Sequence, residues 1–144
     1  MTAETPTLTV LDRETCWNLL RSAEVGRLAV SVAGHPDIFP INYALDGETI
    51  VFCTAEGTKF AAAHVASSVA FETDGYDSAT GDAWSVVVKG HSQDIEMHDL
   101  LEDSAFPLYP WSATPKSRFV RLVPFEISGR RFHVVRKRPD AATG

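Results

Sequence analysis

The chain has 144 residues, a length that predicts one domain over residues 1–144 with loose polar tails at 1–7 and 139–144. Hydrophobic residues make up 44% of the sequence and aromatic residues 10%, so a packed core can form and disorder across the whole chain is excluded. The net charge of −6 argues against nucleic acid as a partner, and the absence of any stretch near the roughly 20 apolar residues of a membrane helix argues against a membrane.

The first half of the chain is predicted to form a helix followed by an antiparallel meander. Asp12 can cap a helix over Arg13–Ala23, in which apolar residues recur at helical spacing. Strands with alternating apolar residues are predicted at Arg27–Ala33, Asp37–Leu45 and Thr49–Thr54. Pro40 places its part of the second strand at an edge, at a bulge or outside the ladder, and Asp46-Gly47 indicates a hairpin turn.

The second half is predicted to add strands and little helix. An alanine-rich segment at residues 60–66 predicts a short helix. Further elements are predicted at Ser68–Asp74 and Ala83–Glu96 (strands), at His98–Asp103 (a short helix), and at Arg118–Val123 and Glu126–Val135 (a final hairpin around Pro124). Gly90 indicates a bulge in its strand. About seven mostly antiparallel strands predict a mainly β protein, a small closed or partly open barrel with short helices at its ends.

The stretch Phe52–Lys59 (FCTAEGTK) has the features of a phosphate-binding turn. Gly57 permits close approach of a ligand, and the helix that follows begins with unpaired N–H groups and a positive dipole end. Thr58 adds a hydroxyl group and Lys59 a positive charge, so the segment could cradle a phosphate. The same pattern is also common as simple helix capping.

Two strand segments could contact a flat ring. In Asp37–Tyr43 a proline interrupts an apolar strand, and an interrupted ladder leaves backbone groups available to a heterocycle; an ordinary edge strand explains the pattern equally well. Trp84-Ser85-Val86 opens the long strand, and Trp84 could cover a planar ring or lie in the core or a dimer interface.

The remaining polar residues indicate no catalytic or metal centre. The five histidines, at positions 35, 64, 91, 98 and 133, show none of the spacings of metal ligands, and no serine or cysteine lies in a nucleophile motif. Glu72 and Asp74 share one face of a strand, which a solvated surface explains. We therefore expect that, in an enzyme, a cofactor supplies the reactive atoms.

The cysteines and the N-terminus predict a cytoplasmic protein. Cys16 and Cys53 form no CxxC pair, and Met1–Thr9 has neither the basic nor the apolar region of a secretory signal. Reduced thiols are therefore the simpler expectation.

The order of these segments resembles the pyridoxamine 5′-phosphate oxidase-like family, the FMN-binding split β-barrels. The resemblance covers roughly Leu11–Val135, through LDRETCWNLLRSAEVGRLAVS, PDIFPINYALDGETIVFCTAEGTKFAAA, AWSVVVKG and FVRLVPFEISGRRF. The strand Trp84-Ser85-Val86 and the terminal Gly-Arg-Arg-Phe are similar to the actinobacterial branch that includes nitroimidazole-reductase-like proteins.

The resemblance implies a six-stranded split barrel that forms a homodimer with two flavin sites at its interface. Backbone groups of Phe39, Pro40, Ile41 and Asn42 would then bind the edge of the isoalloxazine ring, and Phe52, Cys53 and Thr54 would line the neighbouring wall. Thr58 and Lys59 would hold the FMN phosphate, and Trp84 and Ser85 of the partner subunit would complete the site. The implied activity is that of an FMN-dependent oxidoreductase, with hydride transfer through flavin N5 to a small molecule.

The chain departs from the oxidase at two places. No arginine accompanies Lys59, and Arg130, Arg131 and His133 do not have the spacing of the oxidase's substrate-binding arginine and histidine. We therefore expect a small planar or nitroaromatic substrate, with a nicotinamide electron donor, rather than pyridoxamine phosphate.

Three alternatives to FMN chemistry stay open at this point. An F420-dependent reductase would need several cations for the anionic tail of that cofactor, and Lys59 is the local one, with Arg27 more distant. A non-catalytic flavin carrier or sensor, or a haem-binding split barrel, is the second alternative, and His35, His64 or His91 would be the candidate ligands of a haem. A purely structural dimeric barrel is the remaining possibility.

Overall fold

Seven strands and one helix occupy the residues that the structure, a computed structural model, describes: 8–55, 68–95 and 117–134. In chain order they are β1 (Leu8–Val10), α1 (Arg13–Ser22), β2 (Val25–Val32), β3 (His35–Asp46), β4 (Thr49–Ala55), β5 (Ser68–Tyr76), β6 (Asp82–Ile95) and β7 (Ser117–His133). The short helices predicted at 60–66 and 98–103 lie outside the described residues. No helix in the described part of the chain has both the length and the apolar character needed to cross a membrane.

The sheet closes on itself into a barrel. Strands β7, β4, β3, β2, β5 and β6 are hydrogen-bonded neighbours in that order, and β6 pairs again with β7. These pairings are all antiparallel. Outside this ring, β1 pairs with residues 130–132 of β7. The prediction of a mainly β, antiparallel split barrel is therefore confirmed, with six strands in the ring and a seventh attached to it.

The predicted final hairpin around Pro124 is wrong, because β7 runs without a turn from Ser117 to His133. Pro124 instead lies opposite Gly90, where the pairing of β6 with β7 shifts register between Lys89 and Gly90. A strand tolerates proline at such an irregularity, since the missing N–H would have no partner there. The predicted bulge at Gly90 is confirmed, and a Cβ at this position would lie 2.2 Å from the carbonyl oxygen of Val123.

Helix α1 forms where its cap and apolar spacing predict it, and ends one residue earlier. The side chain of Asp12 accepts a hydrogen bond of 2.8 Å from the Thr15 N–H, and hydrogen bonding with the Thr15 side chain, together with this backbone bond, holds the pKa of Asp12 below its ordinary value. Cys16, Trp17 and Leu20 form the buried face of the helix. This face packs on the barrel so closely that a Cβ at Gly129 would lie 2.6 Å from the Cys16 Sγ.

Alternation of side chains along the strands separates the core from the outer surface. The fully buried core residues include Leu28 on β2, Phe52 on β4, Phe71 on β5 and Val86 and Val88 on β6. Residues between them in sequence, such as Arg27, Glu72 and Val87, lie on the outer face and line grooves there. Apolar surface removed from water thus holds the barrel together from within.

Candidate functional site

Strands β3 and β4 part from each other at the residues that the sequence singles out for ring binding. Their pairing runs from Asp46↔Thr49 to Tyr43↔Phe52 and stops there. Beyond that point Phe39–Asn42 pairs with β2, whereas Cys53–Ala55 pairs with β7. We call the gap between these two segments the β3–β4 split. The predicted edge position of Pro40 is confirmed among the described strands, since its half of β3 pairs with β2 alone.

Most side chains at the split are buried in the hydrophobic core or pack against it. Ile41 is buried, Phe39 packs against the core cluster, and Phe52 is fully buried at the base of the split. Cys53 is half-buried and, like Cys16, has a free thiol. These side chains fix the backbone of both segments, so a ligand in the split would be bound chiefly by main-chain groups.

The predicted phosphate-binding residues Thr58 and Lys59 lie outside the described residues, and of Thr54 the structure describes the backbone, which pairs with Arg118. Strand β4 nevertheless leads from the split directly towards residues 56–59. The phosphate-binding prediction therefore stays a prediction, with its segment joined to one wall of the split.

Trp84 and Ser85 lie on a different part of the barrel. Between β3 and β6 the sheet order places β2 and β5, so within one chain these residues are three strand spacings, about 14 Å, from the β3 segment along the sheet. Trp84 packs over Gly75, where a Cβ would lie 2.4 Å from the indole nitrogen. One chain therefore does not bring all the predicted site residues together.

Next to Ser85 the outer surface carries a groove of about 510 Å³. We call it the outer groove; its walls include Glu72, Asp74, Tyr76, Ser85, Arg130 and Phe132. Asp74, Ser85 and Arg130 are aligned across β5, β6 and β7 in the strand register. Sequence reasoning missed Arg130 as a member of this site, because its neighbours come from strands more than forty residues away.

Two carboxylates on one wall of the outer groove, those of Glu72 and Asp74, bind an arginine of β2 that lines the neighbouring groove. The Arg27 Nη2 lies 2.7 Å from the Glu72 Oε1 and 2.9 Å from the Asp74 Oδ1. Burial is the largest cause that raises the pKa of Glu72, and hydrogen bonding with Asp74 is the next. The hydrogen bond to Glu72 raises the pKa of Arg27. The guanidinium group is therefore already committed to two acids, whereas the pattern of Glu72 and Asp74 alone suggested only a solvated face.

The histidines within the described ranges form no cluster. His133 lies 3.5 Å from Asp82, and His91 contacts the Phe125 ring with centroids 5.0 Å apart. Within residues 8–55, 68–95 and 117–134, no group of three or more His, Cys, Asp or Glu side chains could hold a metal ion. His64 and His98 lie outside these ranges.

Comparison with known proteins places the chain among flavin-related barrels. Residues 12–131 match the sequence model of the family described as pyridoxamine 5′-phosphate oxidase. The structure superimposes with a TM-score of 0.78 on a FAD-binding protein from Mycobacterium smegmatis, at 40% identity over 88% of this chain and 100% of that one. A Corynebacterium diphtheriae protein of unknown function gives a TM-score of 0.72 at 35% identity, over 87% of this chain and 98% of that one.

The chain is also similar in sequence to a mycobacterial protein. An uncharacterised protein of Mycobacterium tuberculosis is 42% identical over 89 residues, which are 61% of this chain and 79% of the relative.

Proposed function

The chain belongs to the pyridoxamine 5′-phosphate oxidase family, and we propose that it is an FMN-dependent oxidoreductase whose cofactor binds in the β3–β4 split. The observation that carries the proposal is the split itself. Two strands that pair up to Tyr43↔Phe52 part at the segments expected to flank an isoalloxazine ring. The FAD-binding relative of known structure supports a flavin as the cofactor.

The residues of this chain would bind and orient the flavin. Backbone groups of Phe39–Asn42 would meet the ring edge, and the buried side chains of Ile41 and Phe52 keep that backbone in place. Thr58 and Lys59 would bind the phosphate at the end of β4. When bound, the flavin supplies a hydride-accepting and hydride-donating N5 atom, so no side chain of the protein has to perform that step.

The charges support FMN over F420. The long anionic tail of F420 needs several cations. Besides Lys59, the sequence offers Arg27 as a more distant cation for that tail. The guanidinium group of Arg27 is paired with Glu72 and Asp74. These three side chains carry a net negative charge, which would repel an anionic tail.

We further propose that two copies of the chain form the complete site. An apolar strip on the outer face of β2, β3, β5 and β6, formed by Ala29, Ile38, Ala70 and Val87, lines a groove of about 240 Å³ together with Phe71 and the charged residues Arg27 and Glu72, and Ile38 is 64% exposed. Covering this strip with a second copy would bury apolar surface. It would also bring Trp84 and Ser85 of the partner subunit towards a split that one chain leaves about 14 Å away along the sheet.

The dimer is tested by light scattering at several concentrations. Ile38→Arg should shift the protein to monomer, because a charge would be buried in the interface. Val10→Arg is the matched control, since Val10 is 80% exposed on β1 at the other side of β7. Equal oligomeric states for both variants would contradict the proposed interface.

The cofactor is tested by the absorption spectrum of the purified protein and by titration of the apoprotein with FMN, FAD and F420. The proposal expects the two bands of an oxidised flavin, tightest binding of FMN, and reduction of the bound flavin by a nicotinamide donor followed by reoxidation by a nitroaromatic compound. A Soret band, or preferential binding of F420, would contradict it.

Free thiols at Cys16 and Cys53 accord with the expected cytoplasmic location.

A further inference from the structure

We infer that the outer groove binds a planar aromatic monocarboxylate, with the Arg130 guanidinium group as its carboxylate-binding residue. The inference rests on the proposed function and its dimer: such a molecule, when it bears a nitro group, would be the substrate of the flavin in the partner subunit, a hydride and a proton converting the nitro group to a nitroso group and water. It goes further by naming the substrate class and the residue that selects it.

Among the described residues, the guanidinium group of Arg130 has no carboxylate partner, and it lines the outer groove. Arg130 lies across from Asp74, with Ser85 between them on the middle strand. Two strand spacings, about 10 Å, separate the backbones of Asp74 and Arg130, and within the described part of the chain the side chain of Arg130 takes part in no ion pair or hydrogen bond. A planar guanidinium group of this kind matches the two oxygens of a carboxylate.

The floor of the groove suits a flat ring. Tyr76, Ala83 and Phe132 stand side by side in the register of β5, β6 and β7, and all three line the groove. Trp84 lines it too, held in place by its contact with Gly75. Aromatic side chains bind planar molecules by offset or edge contacts, so ring and carboxylate can be held at once.

The opposite wall selects against a higher charge. Arg27, Glu72 and Asp74 together carry one positive and two negative formal charges, a net −1. The guanidinium group of Arg130 can pair with the single charge of a carboxylate, whereas the second charge of a phosphate dianion would face Glu72 and Asp74 without a further cation in the groove lining. The charge pattern therefore favours a carboxylate over a phosphate ester.

The test uses 4-nitrobenzoate as the probe, with 4-nitrobenzamide as its uncharged counterpart and 4-nitrophenyl phosphate as the dianion. Calorimetry on the flavin-loaded protein measures the affinity of each probe. We expect the carboxylate to bind about tenfold more tightly than the amide, since a charge-assisted hydrogen bond on a partly exposed site is lost in the amide. The phosphate ester should bind more weakly than the carboxylate.

Arg130→Gln should remove the preference for the carboxylate over the amide. Arg131→Gln is the matched control, because Arg131 has the same charge, is also exposed and follows directly in sequence, but alternation along β7 places its side chain on the other face, and it does not line the groove. The inference is overturned if both variants change the preference equally, if neither does, or if the phosphate ester binds more tightly than the carboxylate.

Failure of the proposed function is recognised separately. FMN titration of the wild-type protein involves neither the probe nor Arg130, so absence of FMN binding overturns the proposed function. Normal FMN binding without a carboxylate preference overturns the substrate class alone.

Discussion

Two arginines of this barrel bind carboxylates in contrasting surroundings. Arg121 on β7 lies 2.9 Å from the Asp46 Oδ2 and donates to the Thr49 Oγ1 at 2.7 Å, and the side chains of Arg121 and Asp46 are only 8% and 0% exposed. Arg27 on β2 binds two acids on the outer face while its own side chain stays 39% exposed. The same pairing of charges is therefore enclosed in one region and open to water and ligands in the other.

The two ion pairs therefore contribute differently: the buried pair stabilises the fold, and the exposed pair shapes the charge of the outer surface. A buried pair is costly to break, because the remaining charge has no water to solvate it. An exposed pair contributes little to stability, since water and salt replace much of it. Arg121 therefore joins the β3–β4 hairpin to β7, whereas Arg27 mainly sets the charge of the outer groove.

Arg121→Met should have the largest effect on stability. It leaves the Asp46 carboxylate buried without its guanidinium partner, and we expect a loss of about 3–5 kcal/mol in the free energy of unfolding. Urea denaturation measures this loss. The double variant Arg121→Met/Asp46→Leu should recover most of it, because both buried charges are then gone; a single variant within about 1 kcal/mol of wild type would show that the pair is not enclosed.

Gly75→Ala should come next. Its Cβ would lie 2.4 Å from the Trp84 indole nitrogen, so the indole must move, at a cost of about 1–3 kcal/mol. The shift should also weaken ligand binding in the outer groove, which Trp84 lines. In a Trp84→Ala background the same substitution should cost much less, and equal costs in the two backgrounds would refute the contact.

Tyr43→Phe tests the enclosed side of the barrel by pH. The Tyr43 hydroxyl donates to the Leu20 carbonyl oxygen, and its removal should cost about 1 kcal/mol at neutral pH. Burial raises the pKa of Tyr43 to about 12, above the value of about 10 in an unfolded chain. Its contribution is therefore complete below pH 10 and is lost as the pH rises towards 12.

Urea titrations between neutral pH and about pH 11 check this expectation, since the unfolded tyrosine begins to ionise near pH 10. The stability of the wild-type protein should fall more steeply above pH 10 than that of Tyr43→Phe. Parallel curves would mean that Tyr43 is not shielded from water.

Arg27→Gln should have the smallest effect on stability. We expect less than about 1 kcal/mol, further reduced by high salt, because the pair is half-exposed. Thermal unfolding at two salt concentrations measures it. A loss as large as that of Arg121→Met would remove the distinction between the two regions.

Local patterns were enough to predict most elements, and non-local pairing explains the failures. The cap at Asp12 and the alternation along β2 to β6 depend on neighbours in sequence, and these elements appear within a few residues of the predicted ends. The hairpin predicted at Pro124 was wrong because this proline is accommodated by the bulge at Gly90, which is on another strand and cannot be read from the local sequence. Three-residue β1 is too short to show a period, and it forms through its pairing with the end of β7.

The candidate site divides in the same way. The segments Phe39–Asn42 and Cys53–Thr54 were predicted from motif and resemblance, and the structure places them on either side of one split; their binding of a flavin is the proposal made above. Arg130 could not be predicted, because its place across from Asp74 follows from the register of three strands.

The central claim is that an anionic flavin binds where β4 leads out of the β3–β4 split towards Lys59. Fluorescence titration of the apoprotein with FMN tests it, with Lys59→Ala compared against Lys89→Ala, whose ammonium group lies 3.7 Å from Glu126 on the outer face. The account predicts at least about a tenfold loss of FMN affinity for Lys59→Ala, because the phosphate loses its local cation, and no change for Lys89→Ala. Wild-type affinity in Lys59→Ala would contradict it.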